Sequence, residues 1–193
     1  WFRTATFNVR QVLYCPNDTA VVYAAATMSS GAQIYKSTNG GYTWNAITSI
    51  SGSSRMNIAV SPAAPGVIMG IACNSSSGLL GVYRSTDYGG TVVQVAADNV
   101  SCTNNMLNGE NELPTTNCGG QGWYDLCIAI DPFDANKVII GGINNFYSVD
   151  GGVSWDICNN WYNTGSGVQV VHADKHWLAY NPLNRAIYLG CDG

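Results

Sequence analysis

Charged residues are scarce in this 193-residue chain, of which only 10% are Asp, Glu, Lys or Arg. Eight basic residues against twelve acidic ones give a net charge of −4, and the basic residues are scattered along the sequence. Nucleic-acid binding needs a basic patch or stripe, so this class of partner is excluded. A neutral polar surface rich in Asn, Ser, Thr and Gly instead predicts an extracellular or cell-surface location.

Long apolar runs and helical periodicity are also missing. No apolar run approaches the roughly 18 residues that a membrane-spanning helix needs, so no membrane span is expected. Short runs of apolar and β-branched residues alternate with Gly, Asn, Asp, Ser and Pro, which is typical of short antiparallel strands joined by tight turns. The sequence therefore predicts an all-β fold.

A CxxC pair is absent, which makes a zinc ribbon unlikely to be encoded here, yet the chain holds seven cysteines. This number favours an oxidising compartment, and its odd value leaves at least one cysteine without an internal partner. Cys102 and Cys118 bracket a segment without a core of its own, and we predict a disulfide between them that closes this loop. For the other five cysteines, further disulfides and buried free thiols both stay open.

An eight-residue motif occurs three times, as STNGGYTW from Ser37, STDYGGTV from Ser85 and SVDGGVSW from Ser148. Each copy follows the pattern Ser-x-Asp-x-Gly-x-Ser/Thr-Trp, with Asn39 in place of one acid and Val92 in place of one aromatic residue. We call these segments boxes 1, 2 and 3. Their assigned positions are Ser37, Asn39, Gly41, Trp44, Ser85, Asp87, Gly89, Ser148, Asp150, Gly152 and Trp155.

The flanks of the boxes repeat as well. A strand-like run with a tyrosine precedes each box, and a proline turn between two apolar runs lies further upstream, so each repeat contains four strands. The box serines are 48 and 63 residues apart, close to the roughly 40 to 50 residues of a propeller blade. We therefore predict a β-propeller segment of four-stranded antiparallel blades. The blade equivalents are residues 1–48, 49–96 and 97–158, with an insertion near 99–122 and an incomplete blade at 159–193.

The ends of the sequence carry an expectation of their own. Trp1 resembles the last residue of a further box, and the sequence stops at Gly193 where another third strand and box are due. A propeller needs closed or capped ends. The expectation is therefore that the chain is part of a larger propeller, whose other blades or neighbouring subunits are its partners.

The boxes resemble the Asp-box (BNR) repeats of sialidases, sortilin-like receptors and xyloglucanase-type glycoside hydrolases, and the similarity covers nearly the whole chain. The runs GWYDLCIAIDP from Gly122 and HADKH from His172 are similar to those of secreted bacterial Asp-box propellers. The resemblance implies a propeller in which each box joins the third and fourth strands of a blade, away from the substrate face. Asp87 and Asp150 are then structural residues of turns.

The HADKH run contains both histidines of the chain. If residues 172–176 form a strand, His172, Asp174 and His176 share one face and converge on a divalent metal or a polar ligand. The competing interpretation is a polar loop whose side chains bond to neighbouring blades. Apart from this metal, no cofactor is expected.

The insertion and its flank carry the residues that a sugar-acting site would use. Glycoside hydrolysis needs two carboxyl groups, for which Glu110, Glu112 and Asp125 are the candidates. Trp123, Tyr124 and Trp161 supply rings that stack on sugar faces. Solvated loop acids and ordinary core aromatics explain the same residues without catalysis.

Three functions compete on these observations. An extracellular binding, adhesion or assembly module needs no catalytic pair and is favoured, with carbohydrate as a candidate ligand. A glycoside hydrolase that acts on a polysaccharide is the alternative, and a sortilin-like peptide receptor is third because the cysteine-rich modules of that family are not seen. Sialidase activity is disfavoured, since Phe2-Arg3-Thr4-Ala5 lacks the proline of the corresponding sialidase element.

Overall fold

The computed structural model describes residues 3–163 and 167–193, and this part of the chain is all-β, without a helix. Trp1, which the sequence relates to a further box, lies outside the described residues. Within the described ranges there is accordingly no helix that is long and apolar enough to cross a membrane. The strands form successive sheets of antiparallel neighbours, as the short apolar runs separated by turn residues predict.

The first two sheets are four-stranded meanders in which each strand pairs with the next along the chain. Sheet 1 consists of β1 (Asn8–Cys15), β2 (Asp18–Met28), β3 (Gly31–Ser37) and β4 (Asn45–Ser51). Sheet 2 consists of β5 (Arg55–Val60), β6 (Ile68–Cys73), β7 (Leu79–Ser85) and β8 (Val93–Ala96). These are the four-stranded blades that the repeat predicts.

The third sheet has the same meander and one additional strand. It consists of β9 (Cys127–Ile130), β10 (Val138–Gly141), β11 (Asn145–Ser148), β12 (Asp156–Asn160) and β13 (Gln169–Val170). The short β13 pairs with β12 in parallel, which the sequence did not predict. The last two strands, β14 (Lys175–Tyr180) and β15 (Ile187–Cys191), form an antiparallel pair.

Strand β6 shows why the sheets stack face to face. All six of its residues are buried, and successive side chains enter two different cores because a strand alternates its faces. Ile68 and Ala72 pack in the core shared with sheet 1, whereas Met69 and Ile71 pack in the core shared with sheet 3. A Cβ atom at Gly70 would lie 2.1 Å from the Met56 methyl group, so glycine makes room for a large side chain from β5.

The three boxes occupy equivalent turns, between β3 and β4, between β7 and β8, and between β11 and β12. The serine hydroxyl accepts the N–H of the glycine at the fifth position of its box, at 2.8 Å from Gly41, 2.9 Å from Gly89 and 2.9 Å from Gly152. The same hydroxyl donates to Asn39, Asp87 or Asp150 at 2.9, 2.8 and 2.8 Å. A repeated network of this kind fixes a turn geometry.

The acidic side chains of boxes 2 and 3 accept hydrogen bonds from residues of the same turn. Asp150 accepts the backbone N–H and the hydroxyl of Ser154, and these bonds lower its pKa. The backbone N–H of Thr91 likewise lowers the pKa of Asp87. Hydrogen bonds to an ionised carboxylate stabilise that form, so both acids stay charged and bonded to the backbone. This geometry gives them a structural role.

The link between β8 and β9, residues 97–126, contains no strand and includes the insertion near 99–122. It is closed by the disulfide between Cys102 and Cys118, whose Cα atoms are 4.9 Å apart. Buried Asn105 attaches the insertion to sheet 2, because its Oδ1 accepts the N–H of Leu79 at 2.8 Å while its Nδ2 donates to the carbonyl of Asn117 at 2.6 Å. The loop is therefore held both by these polar bonds and by Met106 and Leu107, whose buried side chains pack in the core between sheets 2 and 3.

Candidate functional site

Trp123 and Tyr124 follow the insertion in the sequence, and hydrogen bonds from Arg55 hold their backbone in place. Arg55 begins β5, and its Nη1 donates to the carbonyls of Trp123 at 2.9 Å and Tyr124 at 2.6 Å. With their backbone held, the two rings point outward and lie 5.3 Å apart between centroids. Trp123 is 65% exposed and Tyr124 is 38% exposed, so the two neighbouring rings form an exposed aromatic patch.

Tyr124 belongs to a polar group that also includes His176 and Asp192, which we call the Tyr124 cluster. The Tyr124 hydroxyl donates to Oδ2 of Asp192, and Nε2 of His176 lies 3.5 Å from the same oxygen. The Tyr124 and His176 rings meet edge to face at 4.8 Å. The hydrogen bond to Asp192 raises the pKa of Tyr124 and lowers that of Asp192. The cluster thus presents a neutral phenol beside an ionised carboxylate.

Beneath this surface lies a pair of acids, Asp125 and Asp174. Asp125 is fully buried, and Asp174 is close enough to hydrogen-bond with it through the carboxyl groups. Both oxygens of Asp125 are otherwise without a donor among the described residues. Burial, followed by the nearby charge of Asp174, raises the pKa of Asp125 to about 8. A carboxyl that stays protonated at neutral pH can donate the bond that joins the pair.

Lys175 lies next to the acid pair and is itself completely buried. Its Nζ donates to the carbonyl of Ile143 and, at 3.4 Å, to that of Val171. Burial lowers the pKa of Lys175 to about 8, while the charge of Asp125 acts in the opposite direction. A buried ammonium among carbonyls and acids holds the loop before β14 against sheet 3.

The predicted metal site is corrected by this arrangement. His172, Asp174 and His176 do not converge, and the residues that the structure describes contain no group of three His, Cys, Asp or Glu side chains that could hold a metal ion. The expectation assumed one strand over residues 172–176, whereas β14 begins only at Lys175. Asp174 adopts a φ of 63°, which interrupts the alternation of faces.

The two histidines consequently have different surroundings. His172 lies against Gly193, where a Cβ atom would be 2.0 Å from the ring, and its Nδ1 is 3.0 Å from the carbonyl of Ala173. His176 turns toward Tyr124 and Asp192. Asp174 turns toward Asp125. Two of the three predicted metal ligands therefore belong to different groups: His176 to the Tyr124 cluster, and Asp174 to the acid pair with Asp125.

Glu110, Glu112 and Asp125, the candidate carboxyl groups of a glycoside hydrolase, lie in three different environments. Both carboxylate oxygens of Glu110 are occupied by Thr116, through its N–H at 2.6 Å and its hydroxyl at 2.7 Å, and the hydroxyl bond lowers the Glu110 pKa. Glu112 is exposed, and Asp125 is buried. A glycoside hydrolase needs two accessible carboxyl groups, and of the three candidates Asp125 is buried in this structure.

Trp161 belongs to a second aromatic surface. Its ring meets that of Tyr162 at 4.6 Å, and its Nε1 donates to the carbonyl of Gly109 at 3.2 Å. Asn144 joins this region to the insertion, because its Oδ1 accepts the N–H of Trp161 and its Nδ2 donates to the carbonyl of Glu110. The Trp161 surface therefore depends on the insertion for its position.

The first strands of the sheets, β1, β5, β9 and β14, surround a cavity of about 560 Å³. We call it the axial cavity. Its wall includes Arg10, Arg55, Ile58, Ile128, His176 and Trp177. Arg55 and His176 also contact Tyr124, so the Tyr124 cluster and Trp123 lie at the rim of the cavity.

Sequence reasoning missed Arg10, Arg55, Lys175 and Asp192 as members of this region. Lys175 was inside the HADKH run, yet its burial depends on packing that no local pattern encodes. Arg10 and Arg55 belong to different sheets, and their shared cavity is visible only in three dimensions.

No family model matches the sequence, and no curated protein matches it. Comparison of the fold with solved structures gives β-propeller proteins. A GH74 xyloglucanase from Xanthomonas campestris superposes with a TM-score of 0.63 at 16% identity, covering 94% of this chain and 26% of the enzyme. The GH74 enzyme of Niastella koreensis gives a TM-score of 0.60 at 18% identity, covering 95% of this chain and 26% of that one.

A protein of another kind shares the fold at a lower score. YCF48, solved bound to a D1 peptide, gives a TM-score of 0.52 at 12% identity and covers 97% of this chain and 63% of its own. These likenesses establish a propeller-type fold for the chain. The chain spans about a quarter of the length of the two GH74 enzymes, at 26% of each.

Proposed function

We propose that this chain is an extracellular Asp-box propeller segment that binds carbohydrate at the rim of the axial cavity. The observation that carries the proposal is Trp123, whose ring is 65% exposed while Arg55 holds its backbone. A fixed aromatic ring offers an apolar platform to a sugar face without a large entropy cost on binding. The Tyr124 cluster beside it supplies polar partners for sugar hydroxyls.

The polar partners are suited to neutral hydrogen-bonding groups. Asp192 is ionised and accepts hydrogen bonds, while His176 has a ring that can donate or accept. The apolar ring and the polar groups lie side by side, as in sites that recognise one face and one edge of a sugar. The fold likeness to GH74 enzymes, one of them named a xyloglucanase, supports a polysaccharide as the ligand class.

The acids support binding rather than hydrolysis. Glu110 is bonded to Thr116, and Asp125 is buried, so the candidate carboxyl groups lack the paired access that a glycosidase requires. The disulfide between Cys102 and Cys118 supports an oxidising, extracellular environment. The repeated box geometry supports membership of the Asp-box group.

A glycoside hydrolase is the second candidate, and one observation favours it. Asp125 keeps its proton up to about pH 8, which is the property of a general acid at neutral pH. To act, its carboxyl group would need access to a glycosidic oxygen at the rim.

One experiment separates the two functions. The chain is run through gels that contain xyloglucan, cellulose derivatives or mannan, and the same mixtures are assayed for new reducing ends. Retardation without new reducing ends is expected. New reducing ends that disappear in Asp125→Asn would establish the hydrolase instead, and retardation by none of these polymers, together with binding to a peptide library, would overturn carbohydrate recognition.

A further inference from the structure

Two arginine side chains line the axial cavity without a carboxylate partner. Arg10 lies on β1 and is exposed, whereas Arg55 begins β5 and is half-buried. Across residues 3–163 and 167–193, the ion pairs involve Lys137, His176 and Arg185, and none reaches Arg10 or Arg55. The cavity wall therefore carries two positive charges without an ion-pair partner, and the acid that acts on Arg55, Asp125, has a pKa raised by burial to about 8.

The two guanidinium groups act on each other. Burial lowers the pKa of Arg55, and the positive charge of Arg10 adds to this effect. Like charges close to one cavity repel, and an anion placed between them would relieve the repulsion. Gln11, next to Arg10, accepts the N–H of Ile58 at 2.7 Å, which ties β1 to β5 and keeps both arginines on adjoining walls.

The donors on this wall remain available. Nη1 of Arg55 is used by the carbonyls of Trp123 and Tyr124, which leaves its Nη2 and Nε without a bond among the described residues. Arg10 makes no hydrogen bond within the same ranges of the chain. A planar guanidinium presents its donors in a fork that matches the two oxygens of a carboxylate.

The other side chains of the cavity indicate what the carboxylate is attached to. Trp177 lines the same cavity and is 56% exposed, so it offers a second ring on which a sugar face can stack. A volume of about 560 Å³ is in the range of small-ligand sites and is sufficient for a few sugar units. The axial cavity is thus lined both by the positively charged Arg10 and Arg55 and by the aromatic ring of Trp177.

We propose that the axial cavity binds a carboxylate-bearing sugar chain, a uronate polysaccharide, with Arg10 and Arg55 on the carboxylate and Trp177 against a ring. This inference rests on the proposed carbohydrate binding and specifies its ligand class.

The test compares an oligogalacturonate with its fully methyl-esterified form by isothermal titration calorimetry. The two probes share their rings and differ in charge. The wild-type chain is expected to bind the free acid about tenfold more tightly, as befits one or two charge-assisted hydrogen bonds. This preference should weaken as salt is raised, because salt screens the attraction.

Substitutions of residues that line the cavity test whether the cavity causes the preference for the free acid over the ester. Arg10→Gln should reduce affinity for the free acid about tenfold and leave the ester unaffected, whereas Trp177→Ala should weaken both probes. Arg84→Gln is the matched control and should change neither, because Arg84 donates to Oδ1 of Asn136 and does not line the axial cavity. Arg10→Lys keeps the charge without the fork and should fall in between. Melting temperatures verify that each variant is folded.

The outcomes are distinct. Equal affinity of the wild-type chain for acid and ester, or an acid preference that survives Arg10→Gln, overturns the uronate inference while carbohydrate binding stands. A stronger preference for a sulfated polysaccharide overturns the carboxylate assignment. Binding of neither probe, together with no retardation by neutral polymers, overturns the proposed function itself.

Discussion

The carboxyl group of Asp174 neighbours the buried carboxyl group of Asp125, and after burial itself the charge of Asp174 is the next cause that raises the pKa of Asp125 to about 8. This contact joins the loop before β14 to the residue that leaves the insertion just before β9. Lys175, next in sequence to Asp174, adds a buried ammonium whose donors go to backbone carbonyls. Asp125, Asp174 and Lys175 thus form a buried polar group next in sequence to Tyr124 and His176, which lie at the exposed rim of the cavity.

The first prediction concerns pH and stability. The Asp125 carboxyl has a pKa of about 8 in the folded chain and about 4 when unfolded. Between these values the folded state binds more protons, so the free energy of unfolding should fall as pH rises from about 4 to 8, and the contribution of Asp125 to this fall should end there. Urea unfolding at a series of pH values measures this slope.

Asp125→Asn is the matched variant for the pH experiment, since the amide can donate to Asp174 without titrating. It should flatten the decline between pH 4 and pH 8. Above pH 8, the lowered pKa of Lys175 should still make stability rise toward pH 10, because the unfolded state then binds more protons. An unchanged decline in the variant would show that Asp125 is not its source.

The second prediction concerns the box turns. Ser148→Ala removes a buried hydroxyl that accepts the N–H of Gly152 at 2.9 Å and donates to Asp150. The buried Gly152 N–H is left without its partner, and unfolding free energy should fall by about 1–3 kcal/mol. Chemical denaturation of Ser148→Ala beside Ser54→Ala, a partly buried serine outside the boxes, measures the difference. Equal losses would argue against a special role for the box.

The third prediction concerns the insertion. Replacing Cys102 and Cys118 together by alanine opens a loop with a sequence separation of 16 residues and should lower stability by about 2–4 kcal/mol. Limited proteolysis should then cut first within residues 103–117. If mild reduction of the wild-type chain changes neither its melting temperature nor its cleavage pattern, the disulfide does not stabilise the insertion.

The fourth prediction concerns contact between the sheets. Arg84, on β7, donates from Nη2 to Oδ1 of Asn136 at 2.9 Å, and so joins sheet 2 to the turn before β10. The bond is exposed, so Asn136→Ala should cost no more than about 1 kcal/mol, as measured by thermal denaturation. Loss of several kcal/mol would mean that the bond is a major link between sheets.

The fold was predictable because its signals are local. The box turns are closed by bonds within five residues, as between Ser37 and Gly41, and the alternation along β6 distributes its side chains between two cores. The extra strand β13 was not predicted, since it has two residues and pairs in parallel. A strand of two residues is too short to produce an alternating pattern in the sequence.

The site was predictable only in part. Trp123 and Tyr124 were identified because large aromatic residues beside a polar loop are visible in the sequence. The partnership of Asp125 with Asp174 depends on packing of β9 near β14, and the metal interpretation failed because the φ of 63° at Asp174 was not foreseeable. Contacts between sheets and single backbone angles are set by the whole fold.

The central claim is that the rim of the axial cavity binds carbohydrate through Trp123. Its most direct measurement is the affinity of the folded chain for the best polymer found by gel retardation, determined by calorimetry for the wild type, Trp123→Ala and Tyr42→Ala. Tyr42 is an exposed aromatic residue of box 1 and serves as the control. The account predicts about a tenfold loss for Trp123→Ala, in line with the more than about 1 kcal/mol that truncation of a dominant contact residue costs, and no loss for Tyr42→Ala. Equal affinities of all three proteins would contradict it.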